Sequence, residues 1–406
     1  MNVDEVLGKL YNTYMYPARF PAKIFNAFFS KLSRKGVVFD PFAGSGSLAL
    51  ATYLRCLDSV VWDLNPMIHV IVSSSIKAIE GVNVKDVLEL IEEGVSYSKP
   101  WLPEGADFWW PSEVLDLLSR VWGYFKDNMA YFKVSGEEMF LEPLDERWSL
   151  YAALALYASR RLSLADDNVP KWFKSRYKRS KLEELFRRSS IESLYKHYVE
   201  LKARRVARVQ EMLRGLSRPM CKPTVTVRAL DAVEAKSYPD RIVGVLTSPP
   251  YIQAQEYIRS FLGELMLLGV PLNVISKLRS LEIPYRPPTS LEVKSRTYNE
   301  MLAGIQPKFK RIVESYFTNT LTVLERTVRV MEEKAVLGVF AGEATVGGKP
   351  VPITRILKEH LIELGMKEIG RGDIEDRIRR RRLFKKRKNM NPDGIEVEYL
   401  TFLEKS

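Results

Sequence analysis

The chain has 406 residues and a formal net charge of +12 at pH 7, long enough for a large core in roughly two or three structural units. No apolar run reaches the roughly 18 residues of a membrane span, and the N-terminus lacks a signal pattern, so we expect a cytoplasmic protein. Two cysteines, Cys56 and Cys221, and three histidines predict neither a metal site nor a disulfide. The basic excess favours a polyanionic partner such as nucleic acid or a membrane surface, although a solvated basic surface has the same charge.

An aromatic, proline-bearing loop precedes the first regular element. Two prolines flank an aromatic and arginine pair between Tyr14 and Pro21, which predicts an ordered loop leading into an amphipathic helix, Ala22 to Leu32. The alternative is an N-terminal arm that only packs on the domain. The residues of interest are Tyr16, Arg19 and Phe20.

A glycine turn follows an apolar strand that begins at Val37. Glycines permit tight turning and close approach of a ligand to the backbone. Gly44, Gly46 and Ala49 also satisfy the dinucleotide fingerprint, so a nicotinamide- or flavin-binding oxidoreductase remains an alternative at this point. The turn consists of Asp40, Pro41, Phe42, Ala43, Gly44, Ser45 and Gly46.

Acidic residues end two further predicted strands. Asp63 follows the strand Asp58 to Trp62, about twenty positions after the glycine turn, where a carboxylate accepts hydrogen bonds from ribose hydroxyls. The alternative for Asp63 is a cap of the helix that starts near Asn65. Asp231 ends a later strand. We therefore expect carboxylates at one edge of a sheet.

Between residues 76 and 222 the alternation of strands and helices stops. Segments 82–98, 112–128, 143–164 and 181–215 have helical spacing, which predicts a helical insertion. Its second half is rich in Lys and Arg with aromatics among them, a composition that suits phosphate contacts and base stacking. A solvated helical surface is the alternative. The residues assigned to nucleic acid here are Lys171, Trp172, Lys174, Arg176, Lys178 and Arg179.

The most distinctive stretch is Thr247-Ser248-Pro249-Pro250-Tyr251. It follows the apolar run Ile242 to Leu246, which is typical of a buried parallel strand, and precedes a predicted helix, Ile252 to Leu268. These residues therefore lie at the carboxyl end of a sheet, where α/β folds bind ligands. Two prolines fix φ and remove two backbone donors, which leaves a rigid corner with carbonyls, a hydroxyl and an aromatic face. Such a corner suits a planar group that carries an exocyclic amine.

The rest of the chain contains one long loop and a basic C-terminal region. The loop, Glu282 to Thr297, is either a lid or a long connection. Two antiparallel strands, Lys367–Gly370 and Glu396–Leu403, flank a densely basic segment from Arg377 to Lys388 that favours polyanion contact. The residues assigned to nucleic acid there are Arg379, Arg380, Arg381, Arg382, Lys385 and Lys386.

Together these motifs resemble those of the S-adenosylmethionine-dependent amino-methyltransferases that modify DNA bases on an exocyclic nitrogen. Asp40 to Gly46 is similar to their cofactor motif, Ser248 to Tyr251 to their catalytic motif, and Tyr16 to Pro21 to the segment that covers the methionine end of the cofactor. The resemblance covers residues 11–75 and 225–403. The oxidoreductase alternative accounts neither for the proline corner nor for the two basic regions.

The resemblance implies an α/β fold: a Rossmann-like methyltransferase sheet, mostly parallel, with an antiparallel C-terminal hairpin and a large helical insertion. We therefore expect three parts: residues 1–75 with the cofactor motif; the helical insertion 76–222, which no motif of the family matches and which we expect to contact the nucleic-acid target; and 223–406 with the catalytic corner and basic hairpin. In this family the recognition region usually lies beside the catalytic motif, whereas the insertion here lies one strand earlier.

The implied activity is site-specific methylation of DNA on the N4 amine of a flipped-out cytosine, because Ser before the two prolines is typical of cytosine enzymes. Asp or Asn at that position is typical of adenine N6 enzymes, and adenine in DNA is one alternative. An RNA base is another. A non-catalytic nucleic-acid-binding protein with a vestigial cofactor fold is a rival of a different class.

The resemblance also assigns roles to the residues. S-adenosylmethionine lies over the glycine turn, with Asp63 at its ribose and Asp231 near its adenine amine. The Ser248 hydroxyl and the Pro249 carbonyl accept hydrogen bonds from the target amine, and Tyr251 stacks on the base. No metal takes part. The remaining members of the catalytic and cofactor sets are Pro250, Tyr16, Arg19, Phe20, Asp40, Phe42, Asn65 and Thr247.

Overall fold

The computed structural model describes residues 6–8, 20–167, 171–215, 221–252, 256–370, 373–377 and 397–406. Tyr16, Arg19 and the basic residues from Arg379 to Lys386 lie outside these ranges, so their predicted roles stay predictions. The strands are β1 (Val37–Asp40), β2 (Ser59–Asp63), β3 (Ala130–Ser135), β4 (Glu138–Pro143), β5 (Val225–Leu230), β6 (Ile242–Thr247), β7 (Met331–Gly342), β8 (Ala344–Val346), β9 (Lys349–Val351), β10 (Met366–Glu368), β11 (Ile374–Arg377) and β12 (Val397–Lys405).

While β8 and β9 pair with each other in a separate two-stranded sheet, the other ten strands form the main sheet, whose two faces are covered by helices. In chain order they are α1 (Ala22–Phe29), α2 (Ser47–Tyr53), α3 (Met67–Glu80), α4 (Val84–Val95), α5 (Ala106–Trp109), α6 (Ser112–Tyr124), α7 (Trp148–Arg161), α8 (Arg176–Arg188), α9 (Ile191–Arg214), α10 (Tyr257–Ser260), α11 (Leu262–Leu267), α12 (Leu272–Leu281), α13 (Arg296–Ala303), α14 (Pro307–Val330) and α15 (Ile353–Glu363). A π-helical turn, Phe125–Met129, extends α6. No helix in the described ranges has both the length and the apolarity needed to cross a bilayer.

The strands of the main sheet follow the order β10-β12-β7-β6-β1-β2-β5-β4-β3, and β11 also pairs with β12. The central strands β5, β2, β1, β6 and β7 are parallel neighbours. Both faces of β1 are buried: Val38 packs with α1 and α2, and Phe39 packs with α14 and α15. Burial on both faces explains why the sequences of these strands are almost continuously apolar.

The C-terminal strands run against this direction. β12 lies antiparallel between β7 and β10, and β11 also pairs antiparallel with β12. The predicted mostly parallel α/β sheet with an antiparallel C-terminal hairpin, a Rossmann-like fold class, is therefore confirmed.

The insertion is mainly helical, but it also contains a hairpin that the sequence analysis did not predict. β3 and β4 are joined at Gly136, which has φ +60°, and β4 pairs antiparallel with β5 through Met139 and Ala229. The hairpin lies at the sheet edge, so only β4 shows the alternation of buried and exposed residues that marks a strand. The insertion thus continues the main sheet.

Cys56 and Cys221 form a disulfide, with Cα atoms 5.8 Å apart and 165 residues between them in sequence. The expectation that they would not pair was wrong. Their sequence contexts are unrelated, but parallel pairing of β2 with β5 places Ser59 opposite Val225. Each cysteine lies just before one of these strands, so the register of the sheet brings the two together.

Candidate active site

A pocket of about 950 Å³, including its open mouth, lies at the carboxyl ends of β1, β2, β5 and β6. The glycine turn, the Asp63 segment, the Asp231 segment and the proline corner each supply part of its wall. These motifs lie far apart in sequence, and the parallel strand order brings them to one edge of the sheet. The lining residues of the predicted set are Phe20, Phe42, Ala43, Gly44, Ser45, Asp63, Asn65, Asp231, Ser248, Pro249, Pro250 and Tyr251.

The glycine turn has a backbone that only glycine adopts easily. Gly44 and Gly46 have φ of +51° and +64°, in the left-handed region. A Cβ atom on Gly46 would lie 2.2 Å from Cγ2 of Val72, so α3 packs directly on the turn. Gly46 does not line the pocket. Its missing side chain allows the glycine turn to pack against Val72 of α3.

Asp63 holds the glycine turn to the next strand. Its Oδ2 accepts a hydrogen bond from the Gly44 N–H at 2.8 Å, and its Oδ1 accepts one from the Asn65 N–H at 2.8 Å. Burial raises the pKa of Asp63 to about 6, while the two backbone donors act in the opposite direction. Each carboxylate oxygen retains acceptor capacity, and the side chain lines the pocket.

Asp40 and Thr247 are fully buried and are not among the residues that line the pocket, so their predicted cofactor contact stays a prediction. Asp40 is completely buried, and its Oδ1 accepts hydrogen bonds from the Thr247 hydroxyl at 2.6 Å and the Phe42 N–H at 3.0 Å. Burial is the main cause that raises the pKa of Asp40 to about 7, and the charge of Asp63 adds to it. Its Oδ2 has no hydrogen-bond partner among the described residues. The pair ties β1 to β6 and so fixes the glycine turn relative to the proline corner.

The proline corner begins where β6 ends, and its four residues all line the pocket. Ser248 is half-buried. The hydroxyl of the buried Tyr251 donates a hydrogen bond to the carboxylate of Glu398 in β12. That bond orients the Tyr251 ring. The Ser248 to Tyr251 motif by itself did not indicate a partner in the C-terminal hairpin.

Arg286 is a pocket residue that the sequence analysis did not single out. Its Nη1 donates to both oxygens of Asp231, at 2.7 and 2.8 Å, and its Nη2 donates to Glu234 at 2.9 Å. The Arg286 side chain is 6 % exposed, and its Nε has no hydrogen-bond partner among the described residues. The loop that was predicted to be a lid or a connection is therefore attached to the end of β5.

Glu282, at the start of the same loop, is a second unpredicted pocket residue. Its Oε1 accepts a hydrogen bond from the Ile258 N–H at 3.0 Å. Burial raises the pKa of Glu282 to about 7. Glu282 therefore connects the loop to the segment that follows the proline corner, where Tyr257 and Ile258 also line the pocket.

Of the predicted covering segment, the structure describes Pro21 and one predicted cofactor-binding residue, Phe20. It lines the pocket and packs against Phe340 of β7, with ring centroids 5.8 Å apart. Its position agrees with a cover over this end of the pocket.

The predicted nucleic-acid residues of the insertion divide into two groups. Trp172 and Lys178 are only 1 % and 3 % exposed. They therefore do not lie on the surface, where we expected them to contact nucleic acid. Lys178 pairs with Asp167 at 2.8 Å, and Lys171 pairs with Glu256 at 3.0 Å. The exposed members are Lys174, Arg176 and Arg179.

Aromatic rings accompany the exposed basic residues. The Lys174 ammonium lies 3.6 Å from the centroid of Phe108, and the Arg259 guanidinium lies 4.2 Å from that of Phe173. Phe108, Phe173 and Tyr177 are 56 %, 41 % and 74 % exposed. This aromatic and basic surface lies beside α10, which begins at the pocket wall. Within the described ranges, no group of three or more His, Cys, Asp or Glu side chains has the arrangement of a metal site.

No protein-family model matches the chain, and no curated protein matches it. Among solved structures, the chain is similar to the rRNA methyltransferase AviRa from Streptomyces viridochromogenes, at 13 % sequence identity and a TM-score of 0.33. The alignment covers 99 % of this chain and 92 % of that one.

Proposed function

We propose that this protein transfers a methyl group from S-adenosylmethionine to the exocyclic N4 amine of cytosine in DNA. The observation that carries the proposal is the meeting, in one pocket, of the glycine turn with Asp63 and the Ser248 to Tyr251 corner. A glycine turn with a carboxylate suits many nucleotide-like ligands. The corner adds acceptors and an aromatic face for a second, planar ligand that carries an amine.

The residues of the pocket fit S-adenosylmethionine. The glycine turn lets a ligand approach the backbone, and the Asp63 carboxylate beside it has free lone pairs for ribose hydroxyls. Asp231 would accept a hydrogen bond from the adenine amine while Arg286 holds its orientation. When bound, S-adenosylmethionine supplies an electrophilic methyl group on a sulfonium. Phe20 and Phe340 give that part of the pocket a dry, aromatic wall.

The corner prepares the amine for attack. The Ser248 hydroxyl and the Pro249 carbonyl accept hydrogen bonds from its two hydrogens, which favours a tetrahedral nitrogen and frees its lone pair from ring conjugation. On transfer the bond between the sulfonium and its methyl group would break, S-adenosylhomocysteine would be released as a neutral thioether, and the methylated nitrogen would lose one of these protons to water. Positioning and electrostatics supply the rate enhancement, and no covalent enzyme intermediate is required.

Tyr251 would stack on a base that has left the duplex. Extrusion costs a few kcal/mol, and stacking on an aromatic side chain returns about 1–3 kcal/mol per base. Because the Tyr251 hydroxyl is bound to Glu398, the ring is already oriented before the base arrives. Ser248, at the position where cytosine enzymes carry serine, supports cytosine over adenine.

An RNA base is the second candidate, and the exposed aromatic and basic surface of the insertion favours it. Sequence-specific RNA recognition uses unpaired bases that stack on aromatic and arginine side chains. Phe108, Phe173 and Tyr177 are exposed in this surface, and Arg259 and Lys174 lie over two of the rings. A duplex DNA substrate would use the basic residues for phosphate contacts and would leave the rings largely unused.

The deciding experiment incubates the protein with isotopically methyl-labelled S-adenosylmethionine and, in parallel, duplex DNA, single-stranded DNA and structured RNA. Mass spectrometry of the nucleosides then reports base and polymer together. Labelled N4-methyldeoxycytidine supports the first proposal, and labelled N4-methylcytidine supports the second candidate. If the protein binds the cofactor but labels no nucleoside, the methyltransferase proposal is wrong.

A further inference from the structure

The insertion contacts the catalytic region at the helices that follow the proline corner. We propose that Arg160, Lys171 and Trp172 of the insertion are positioning residues that hold the pocket wall formed by Tyr257 and Ile258. The inference rests on the proposed function, because it concerns the wall of the pocket where methyl transfer would occur. It gives Lys171 and Trp172 a role other than the nucleic-acid contact predicted from sequence.

A buried carboxylate joins the two regions. Glu264 of α11 is 2 % exposed, and its Oε2 accepts a hydrogen bond from Trp172 Nε1 at 2.6 Å. Its Oε1 accepts one from Arg160 Nη1 at 2.9 Å, and the same Arg160 nitrogen donates to the Ser260 carbonyl of α10 at 3.3 Å. A buried carboxylate needs such partners, because an unpaired charge in the interior is strongly unfavourable. The insertion supplies them.

The contact between Trp172 and α11 is also tightly packed. A Cβ atom on Gly263 would lie 2.1 Å from Cη2 of the Trp172 ring and 2.2 Å from Cζ2. Gly263 has no unusual φ, so its absent side chain serves the approach of the indole and not a turn. Trp172 is thus inserted against the backbone of α11.

The segment before α10 is held from two sides. Lys171 Nζ lies 3.0 Å from Oε2 of Glu256, immediately before the pocket residues Tyr257 and Ile258. On the other side, Glu282 accepts a hydrogen bond from the Ile258 N–H at 3.0 Å. The wall residues therefore lie between an anchor from the insertion and an anchor from the 282–297 loop.

The expected consequence is a loss of turnover when the insertion side of this contact is disturbed. A shift of about 1 Å in a positioning element can reduce the rate by about 100-fold. The glycine turn and Asp63, on β1 and β2, do not depend on this contact. Cofactor affinity should then change much less than kcat.

Changing the side-chain sizes at Gly263 and Trp172 tests the contact between them directly. Gly263→Ala should lower kcat by at least about tenfold, with the KM for nucleic acid and the Kd for S-adenosylmethionine changed by less than about threefold. Trp172→Phe removes the ring atoms nearest to Gly263 but also the Nε1 donor to Glu264, so the double variant Gly263→Ala/Trp172→Phe should have a kcat close to that of Trp172→Phe alone. Gly304→Ala is the matched control, because a Cβ there meets only the Met301 carbonyl at an ordinary 3.5 Å. Unchanged kcat in folded Gly263→Ala, or a further tenfold loss when Gly263→Ala is added to folded Trp172→Phe, would overturn the inference.

A second pair of variants decides the question if Gly263→Ala does not fold. Lys171→Met should lower kcat about threefold or more with unchanged KM for nucleic acid, and Lys171→Arg should keep wild-type kcat because it retains the charge facing Glu256. A rise in KM with unchanged kcat would overturn the positioning role and return Lys171 to nucleic-acid contact. Failure of the proposed function is distinguishable, since the wild-type protein would then transfer no methyl group to any nucleic acid.

Discussion

At the scale of single residues, the candidate site depends on carboxylates in unusual environments. Asp63 faces the pocket with a pKa raised to about 6, and Asp40 lies below it with a pKa raised to about 7, in both cases mainly through burial. Burial penalises the charged form, so these groups gain protons at a higher pH than ordinary aspartates. Of these two carboxylates, Asp63 lines the pocket and can accept a hydrogen bond from a ligand there, whereas Asp40 does not line it.

The raised pKa of Asp63 predicts that cofactor affinity falls in mild acid. Above pH 6 the carboxylate is ionised and accepts ribose hydrogen bonds, and as pH falls through 6 it becomes protonated and loses part of that capacity. Between pH 7.5 and pH 5 we expect the Kd for S-adenosylmethionine, measured by calorimetry, to rise about tenfold. Asp63→Asn should bind weakly at both pH values. Equal affinity of the wild-type protein at the two pH values would contradict this role.

The proline corner predicts a separation of binding from chemistry. Ser248→Ala removes one acceptor for the amine, and Tyr251→Ala removes the ring that stacks on the base. Each should reduce methyl transfer by about 100-fold while the Kd for S-adenosylmethionine stays near that of the wild type. Single-turnover methylation and calorimetry measure the two quantities. Ser112→Ala, at an exposed serine far from the pocket in sequence, is the control, and full turnover in the Ser248 variant would reject the assignment.

At the scale of elements, the segments around the corner differ most from the pattern of their sequence. Apolar spacing predicts one helix from Ile252 to Leu268, whereas in the part of this stretch from 256 to 268 that the structure describes there are two short helices, α10 and α11. The interruption coincides with tertiary contacts: Glu282 accepts from the Ile258 N–H, and Trp172 packs on Gly263. Helical periodicity cannot anticipate either partner, because both come from distant parts of the chain.

The 282–297 loop is likewise fixed by contacts that its sequence does not reveal. Arg286 bonds Asp231 and Glu234, and its carbonyl accepts a hydrogen bond from Ser315 at 2.6 Å. The proline and arginine content of the loop did not distinguish a lid from a long connection. The buried ion pair makes the loop part of the pocket wall.

Arg286→Met tests this attachment. It leaves Asp231 without its two charged hydrogen bonds, so we expect a loss of about 2 kcal/mol in the free energy of unfolding and weaker binding of S-adenosylmethionine. Denaturant titration and calorimetry measure the two effects. Arg296→Met is the matched control, because the Arg296 side chain is 90 % exposed and should contribute little. Unchanged stability and affinity in Arg286→Met would show that the loop is held by other contacts.

At the scale of the whole molecule, the insertion is integrated with the catalytic sheet rather than appended to it. Its hairpin extends the sheet beyond β5, and the disulfide between Cys56 and Cys221 ties its C-terminal end to the segment before β2. A cross-link between residues so far apart in sequence restricts the unfolded chain strongly. The disulfide therefore stabilises the fold at the point where the insertion rejoins the sheet.

Reduction of this disulfide should lower the free energy of unfolding by about 2–4 kcal/mol. Cys221 is exposed, so a thiol reductant can reach the bond in the native protein. Denaturant titration with and without dithiothreitol measures the difference. The Cys56→Ser/Cys221→Ser variant should resemble the reduced protein and no longer respond to reductant. Two free thiols in the untreated wild-type protein would contradict the pairing.

The sequence by itself determined the parts of the site that are local. Strand, glycine turn and helix start at Val37 to Ala49, and strand followed by the proline corner at Ile242 to Tyr251, are short-range patterns. Their chemistry is set by neighbouring residues. Apolar runs also mark the central strands as buried on both faces, as parallel strands are, whereas the whole sheet with its reversed C-terminal strands was expected from the resemblance.

Tertiary structure alone decided which distant side chains complete the site. The Glu398 partner of Tyr251, the Arg286 partner of Asp231 and the Trp172 contact with Gly263 join residues from separate elements. The Cys56–Cys221 bond depends on the register of β2 against β5 in the same way. Local sequence encodes backbone conformation and burial, but these pairings arise only when strand order and helix packing bring the side chains together.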